Sequence, residues 1–427
     1  MPNIYITEQD LTSPGSLNVT TNTVYVPGFA TEIPENFNFK PILYESLTDF
    51  QNDFGYEVPE LQGESIVDSY TFGGQTVNVY PKDSGYIYAV ELLRLGVPVL
   101  YDLMLNKTDL EYFIRKKADG EYVKQSKPAT LTEASETDKN TYETEVIFNS
   151  TLGSNITVLK YYKKPKITKG KNELSKNKAH TFLFGNQGRF TTEELNQKGT
   201  YNIKFITSGG YMDLDSKFTS KLNNISASRM DCVALIDHED TIKSNGLMNT
   251  INSSLSLLKD GKYAAMFTPY AYYSPACLSD NINSQNINES LIKLPASFGY
   301  LMAMAQATKT APNWMAMAGA TRGTIPYIVR LAEELNEAMA DSYCSRDGIS
   351  INPIVNINPF GLIIWGNRTL FNNATKGNLT ASSFLNIRNL ISDVKKTVWT
   401  AARQMTFEQN NDILWINFKA LITPTLD

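Results

Sequence analysis

The sequence predicts an α/β fold of mixed (α+β) character: a parallel-sheet core, an inserted β-rich domain and an extended terminal arm. Three observations lead there. Short apolar runs alternate with helix-period segments on both sides of residues 106–199, and such alternation implies parallel strands joined by right-handed crossovers. Between 106 and 199 that rhythm gives way to alternating strands and turn signals. Residues 1–22 carry too few apolar side chains to hold themselves against a core.

Taken in order, Ile4-Tyr5-Ile6 is a short extended piece before a turn at Ser13-Pro14-Gly15. It reads either as a frayed end or as an arm that becomes ordered by adding a strand to another chain's sheet. Thr23 to Gly28 is a strand closed by a turn, and Leu47 to Phe54 a short helix ended by Gly55. Ser84 to Gly96 has apolar residues at helical spacing (Ile87, Val90, Leu93), and Pro98 to Tyr101 reads as a buried strand. Within 106–199, strands are expected at Thr144–Phe148 and Asn155–Tyr162, with turns at Asp119-Gly120 and Gly153-Ser154. After Gly199 come strand Tyr201–Thr207, helix Leu214–Ala227, strand Cys232–Ile236, helix Leu247–Leu258 and strand Tyr263–Phe267. Two stripes then recur at helical spacing. They are Ile328, Leu331, Ala332, Leu335, Ala338 and Met339, followed by Ile387, Leu390, Ile391, Val394, Val398 and Ala401. Both are expected to face the core.

Composition excludes several functions. The 427 residues suffice for a large core and two or three domains. Thirty-nine basic against 44 acidic residues give a formal net charge of −5, without the strongly basic face of a nucleic-acid binder. Three cysteines (Cys232, Cys277, Cys344) show no CxxC spacing, and only two histidines are present. Neither a disulfide framework nor a zinc or His-rich metal site is indicated, and no cofactor is expected. The amino terminus has no basic n-region and no apolar h-region, so it does not read as a signal peptide. The most apolar long window, Tyr86–Leu105, is interrupted by Glu91, Arg94, Pro98 and Asp102 and is too polar to span a bilayer. Such a chain is expected in a cytoplasm or released by lysis.

Chemistry is thin. Asp237-His238-Glu239-Asp240 follows a strand, where ligand sites of parallel sheets form, and could supply an acid/base pair or hard metal ligands. Consecutive residues on a loop point in different directions, however, and a polar loop leading into a helix explains them equally well. Ser208-Gly209-Gly210 reads as a tight βα turn; neither phosphate-loop pattern accompanies it. Lys160–Lys178 holds eight Lys and one Glu in 19 residues, without Arg or regular spacing, as a solvated loop would.

The carboxy-terminal third carries an ordered set of motifs. These are Gly348 to Ile354 around Asn352-Pro353, Gly361 to Leu370 with Trp365-Gly366-Asn367-Arg368-Thr369, Phe384 to Leu390, and Phe407-Glu408-Gln409-Asn410 with Leu414-Trp415. Upstream stand Pro27-Gly28-Phe29-Ala30, Phe50 to Gly55, Tyr263 to Pro269 and Leu294 to Ser297. The set resembles the tail sheath proteins of contractile-tailed bacteriophages over roughly 20–105 and 200–427. The resemblance implies an amino-terminal arm (1–22), a sheath core (23–105 with 200–345), an inserted outward β-rich domain (106–199) and a sheath carboxy-terminal domain (346–427). By the family pattern that last domain lacks its final strands and arm.

What the resemblance implies is structural work and no enzyme activity. Subunits would polymerise helically around a tail tube and contract to drive it through the host envelope, delivering the genome. The partners would be further copies of the chain, the tail tube protein, and baseplate and tail terminator proteins, with no specific nucleic acid and no membrane insertion. The place would be the virion tail, assembled in the host bacterial cytoplasm. Ile4, Tyr5 and Ile6 would form the inter-subunit arm. Asn352, Pro353, Trp365, Gly366, Arg368, Thr369 and Trp415 would be structural motif residues. Arg388, Lys395, Lys396 and Arg403 would meet acidic neighbours or the tube. At about 25 cal/mol per Å², ~200 Å² of extra apolar burial per subunit would supply ~5 kcal/mol towards contraction. Two rivals stay open: an α/β enzyme using the Asp237–Asp240 loop, and another phage structural protein binding a receptor through 106–199.

Overall fold

The structure, a computed structural model, describes residues 22–34, 37–72, 75–106, 110–128, 131–149, 154–165, 174–212, 216–238, 258, 260–279, 291–312, 314–335, 337–344, 349–371 and 379–426. The chain begins with β1 (Val24–Gly28), β2 (Ile42–Tyr44), α1 (Leu47–Phe54), the hairpin β3 (Asp68–Phe72) and β4 (Gln75–Val79), α2 (Ser84–Arg94) and β5 (Val99–Leu103). It continues through β6 (Leu110–Arg115), β7 (Tyr122–Lys124), α3 (Glu136–Thr141), β8 (Thr144–Asn149), β9 (Ser154–Leu159), β10 (Tyr162–Pro165) and α4 (Lys176–Phe184). Next come β11 (Phe205–Ile206), α5 (Ser216–Arg229), β12 (Val233–Ile236), β13 (Ala264–Thr268), β14 (Ala271–Tyr273), α6 (Ala276–Ser279), β15 (Ile292–Leu294) and α7 (Ala296–Ala307). Last are α8 (Gly319–Arg322), β16 (Ile328–Leu331), α9 (Glu337–Tyr343), β17 (Asn352–Ile357), β18 (Gly361–Ile364), α10 (Leu385–Gln404) and α11 (Asp412–Leu426).

One eight-stranded sheet runs in the order β18-β17-β13-β12-β11-β1-β5-β2. Its six inner strands are parallel, and antiparallel β2 and β18 close the ends. Both faces are covered, which is why the strands are mostly apolar. Val24, Val26, Phe205, Val233, Leu235, Val99 and Tyr101 turn to the face packed by α1, α2 and α7. Tyr25, Ile206, Ala234, Ile236 and Leu100 turn to the face packed by α4 and α5. Gly85, at the start of α2, lies against the carboxyl end of β1: a Cβ there would collide with the carbonyl oxygen of Pro27 and stand 2.7 Å from the Gly28 Cα.

Several expectations need correction. Residues 328–331 are not helical. Ile328 and Val329 are consecutive β-branched residues following Pro326, and β14 offers them an antiparallel partner; the next helix among the described residues is α9, Glu337–Tyr343. The expected strand Tyr201–Thr207 shortens to Phe205–Ile206. Among the described residues, the separate β part of the insertion, the sheet β10-β6-β7 and the hairpin β8–β9, extends to Pro165. Ala179, Leu183, Phe184, Phe190 and Leu195 instead fill the core beneath Tyr25 and Ile206. The expected division at 345–346 crosses a continuous sheet, since Asn352 and Pro353 of β17 pair with Phe267 and Thr268 of β13. The expected helix Leu247–Leu258 lies, except for Leu258, outside the described residues.

Candidate assembly site

The carboxy-terminal motifs, separated in sequence, close on one another. Asn352, fully buried, donates from Nδ2 to the carbonyls of Met266 at 3.0 Å and Arg368 at 2.9 Å. Its Oδ1 accepts from Arg368 N at 2.6 Å. One side chain thus ties β13, β17 and the Trp365–Thr369 segment together. Gly366 is required there, because a Cβ would lie 2.7 Å from both the Cα and the Oδ1 of Asn352. Pro353 accepts from Trp365 N through its carbonyl at 2.8 Å. The Arg368 guanidinium stacks on the Phe384 ring at 4.3 Å. Thr369 Oγ1 donates to Ser382 O at 2.7 Å. Asn367 donates to Asn386 Oδ1 at 2.7 Å and accepts from Asn386 N at 3.2 Å, fixing the start of α10. The motif blocks around 352, 366 and 386 form a structural junction. Trp415 stands apart on α11, its Nε1 donating to Asn410 Oδ1 at 2.9 Å.

Below this junction, α10 is amphipathic in the reverse of the expected sense. The side chains it buries are mainly polar: Arg388, Asn389, Ser392, Asp393, Lys396 and Thr397, with Leu385 and Ala401. Ile387, Ile391, Val394 and Val398 are only half-buried, and Leu390 is exposed. α11 packs back on α10. On α11, Ile413 and Ile416, one turn apart, are 67% and 64% exposed, and Trp415 on the flank is 55% exposed. Phe407, between the helices, is wholly exposed, as is much of Trp399. Exposed apolar residues scattered singly are ordinary; several gathered on one helical pair mark an interaction surface.

The four cations expected to face neighbours divide. Lys396 is buried; its Nζ donates to Ile203 O at 2.7 Å, and burial pushes its pKa down to about 8. Arg388 is buried over the Tyr263 ring at 4.7 Å, and desolvation lowers its pKa. Both serve the interior of this chain, which corrects the expectation: a charge so enclosed is held by internal partners and is not presented to a neighbour. Lys395 and Arg403 are exposed, the first donating to Met230 O at 3.3 Å and the second stacking on Trp399 at 5.1 Å. Ile4, Tyr5, Ile6 and Gly348 lie outside the described residues.

The Asp237–Asp240 loop is closed to solvent at its described end. Asp237 and His238 are 1% and 3% exposed; Glu239 and Asp240 lie outside the described residues. Ser208 Oγ donates to Asp237 Oδ2 at 3.3 Å, and burial pushes the carboxyl up to about 7 against the opposing hydrogen bonds of Ser297 and Ser208. His238 Nε2 sits 3.1 Å from Thr268 Oγ1. Among the described residues no three His, Cys, Asp or Glu side chains gather as metal ligands, and no helix is long and apolar enough to cross a membrane.

Sequence reasoning missed one buried cluster. Arg189 grips Asp102 with Nε at 2.6 Å and Nη2 at 3.0 Å, donates to Phe39 O at 2.9 Å and pairs with Glu194. Tyr25 OH donates to the same carboxylate at 2.6 Å. The signal was present: Asp102 interrupts the apolar run Val99–Met104, and a charge inside a buried strand requires a partner.

No family model matches the chain. A tail sheath protein of Vibrio phage KVP40 is 31% identical over 118 residues, 28% of this chain and 16% of that protein's length. Among solved structures, the anti-feeding prophage baseplate in its contracted state matches the whole chain and 82% of its own, with a TM-score of 0.51 at 12% identity. The helical sheath of the same particle in its contracted state matches likewise, with a TM-score of 0.50 at 13% identity. By sequence over one stretch, and by fold over its whole length, the chain is similar to the sheath proteins of contractile tails.

Proposed function

We propose that this chain is a structural subunit of a contractile phage tail sheath. Copies assemble helically around a tail tube and rearrange to drive it through the host envelope, in contact with tube, baseplate and tail terminator proteins. The subunit is assembled in the host cytoplasm, carried in the virion tail, and does its work mechanically and not catalytically. The observation that carries this reading is the exposed apolar set on the outer side of the α10–α11 pair, Trp399, Phe407, Ile413, Trp415 and Ile416, on a chain whose fold is shared with sheath proteins. Head-to-tail contacts through such a face build open helical arrays when they do not close into rings. Covering Ile413, Trp415 and Ile416 is worth on the order of 5 kcal/mol per contact, enough to favour polymers at high local concentration. The name of the phage relative supports the same role.

The test is sedimentation velocity on the purified chain and on a Trp415→Glu/Ile416→Glu variant. Large assemblies from the first and none from the second, with equal circular dichroism, are expected. Equal assembly by both removes the face from the account.

A further inference from the structure

The junction between α10 and the sheet differs in kind from those of α2 and α7. α2 and α7 are buried almost all round by apolar side chains. α10 meets the core through an ion pair, Lys204 Nζ to Asp393 Oδ2 at 2.8 Å, and through Lys396 Nζ on Ile203 O. Arg388 reaches Ser382 Oγ at 3.2 Å beside them. Several polar atoms of this seam have no protein partner: Arg388 Nε, Asn389 Oδ1, Ser392 Oγ and Asp393 Oδ1. The apolar side of α10 is turned away from the sheet, and α11 packs back on the helix with Ile422 buried and Leu414, Phe418 and Leu421 half-buried. The two helices therefore form a hairpin whose apolar contact is internal, attached to the core by a polar seam. Polar interfaces of this kind belong to parts that separate and rejoin. Pulling the seam apart re-hydrates polar groups, which costs far less than exposing an apolar core.

We propose that α10 and α11 form a releasable unit that undocks from the sheet as a whole, with the Lys204–Asp393 pair as its catch and the Asn367–Asn386 junction as its hinge. The hinge is the firm end: Leu385 N donates to Asn367 O at 3.1 Å, and Leu385 is anchored in the core. Undocking turns the seam side of α10 towards solvent or a neighbour while the sheet stays intact. Its use in a rearranging polymer rests on the sheath reading above; the undocking itself is a property of the single chain.

Native-state hydrogen exchange on the full chain, kept monomeric at low concentration, decides it. Amides across 387–424 exchange through one shared opening, at least ~10-fold less protected than those of α2 and α7. Asp393→Asn strands the Lys204 ammonium and lowers protection of α10 and α11 by on the order of a hundredfold, leaving α2 and α7 unchanged. Lys204→Met/Asp393→Leu replaces the pair by apolar groups and returns protection to at least the wild-type level. Protection of α10 equal to that of α7, or an equal loss in all helices with Asp393→Asn, overturns the proposal. A chain that never polymerises counts against the sheath reading only, and the exchange result still decides this one.

Discussion

Asn352 is the residue through which the motif junction is most directly perturbed. Asn352→Ala deletes three hydrogen bonds, to Met266 O, to Arg368 O and from Arg368 N. The site is closed by Gly366, whose backbone leaves no room for a rearranged side chain. At about 1–3 kcal/mol for each buried polar group left unpaired, and with little chance of water entering, the loss is about 3–5 kcal/mol. Asn352→Asp sharpens the test. It keeps the volume and the acceptor for Arg368 N, but it turns a carboxylate oxygen towards two carbonyl oxygens. If hydrogen bonding is what matters, it destabilises at least as much as alanine; if volume matters, it is nearly neutral. Urea unfolding of both variants, followed by circular dichroism, measures the difference. A loss under about 1 kcal/mol for alanine, or a wild-type midpoint for aspartate, refutes the argument.

Three further outcomes are expected. Asp237, raised to about 7 by burial, contributes its full stability below about pH 4, and that stability is lost as pH rises through 7, on the order of 4 kcal/mol in all. Asp83, raised to about 6, acts in the same direction, whereas Lys396, lowered to about 8, acts only above that pH. Asp237→Asn therefore flattens the decline in urea stability between about pH 4 and 7, and an unchanged slope contradicts the assignment. Gly85→Ala drives a methyl group into the Pro27 carbonyl and parts α2 from β1; a cost of about 3 kcal/mol or more is expected in thermal or urea melts, and a neutral melt counts against this close approach. Lys396→Glu places an anion in the seam near Asp393 and lowers the hydrogen-exchange protection of α10 and α11 while the sheet stays folded, whereas Lys395→Glu, on an exposed neighbour, leaves that protection unchanged. Equal protection in the two variants would mean that Lys396 is not enclosed.

The sheet was legible in the sequence because its strands bury both faces and its helices sit between them at the right period; α1 begins and ends where the sequence places it. Misreadings came where local pattern and tertiary partner disagree. Ile328, Leu331 and Ala332 fit a helical period, yet Pro326, the β-branched pair Ile328–Val329 and the ladder offered by β14 decide for strand. The helical period of 387–401 was right, but its facing was not. Apolar periodicity says that a helix has two sides; it cannot say that the polar side is met by Lys204 and the Ile203 carbonyl from a distant strand. Likewise the motif residues could be picked out by type, but their convergence on Asn352 depends on β17 pairing with β13. The assignment of 176–195 to the core follows from Arg189 finding Asp102, a contact across 87 positions that no local pattern reveals.

The central claim, that this chain builds a helical sheath through the open face of α10 and α11, is tested most directly by negative-stain electron microscopy of the concentrated protein. Hollow tubes or stacked rings with a regular helical repeat are predicted, and none from the Trp415→Glu/Ile416→Glu variant. A wild-type chain that stays monomeric at every concentration, or tubes formed equally well by the variant, would contradict it.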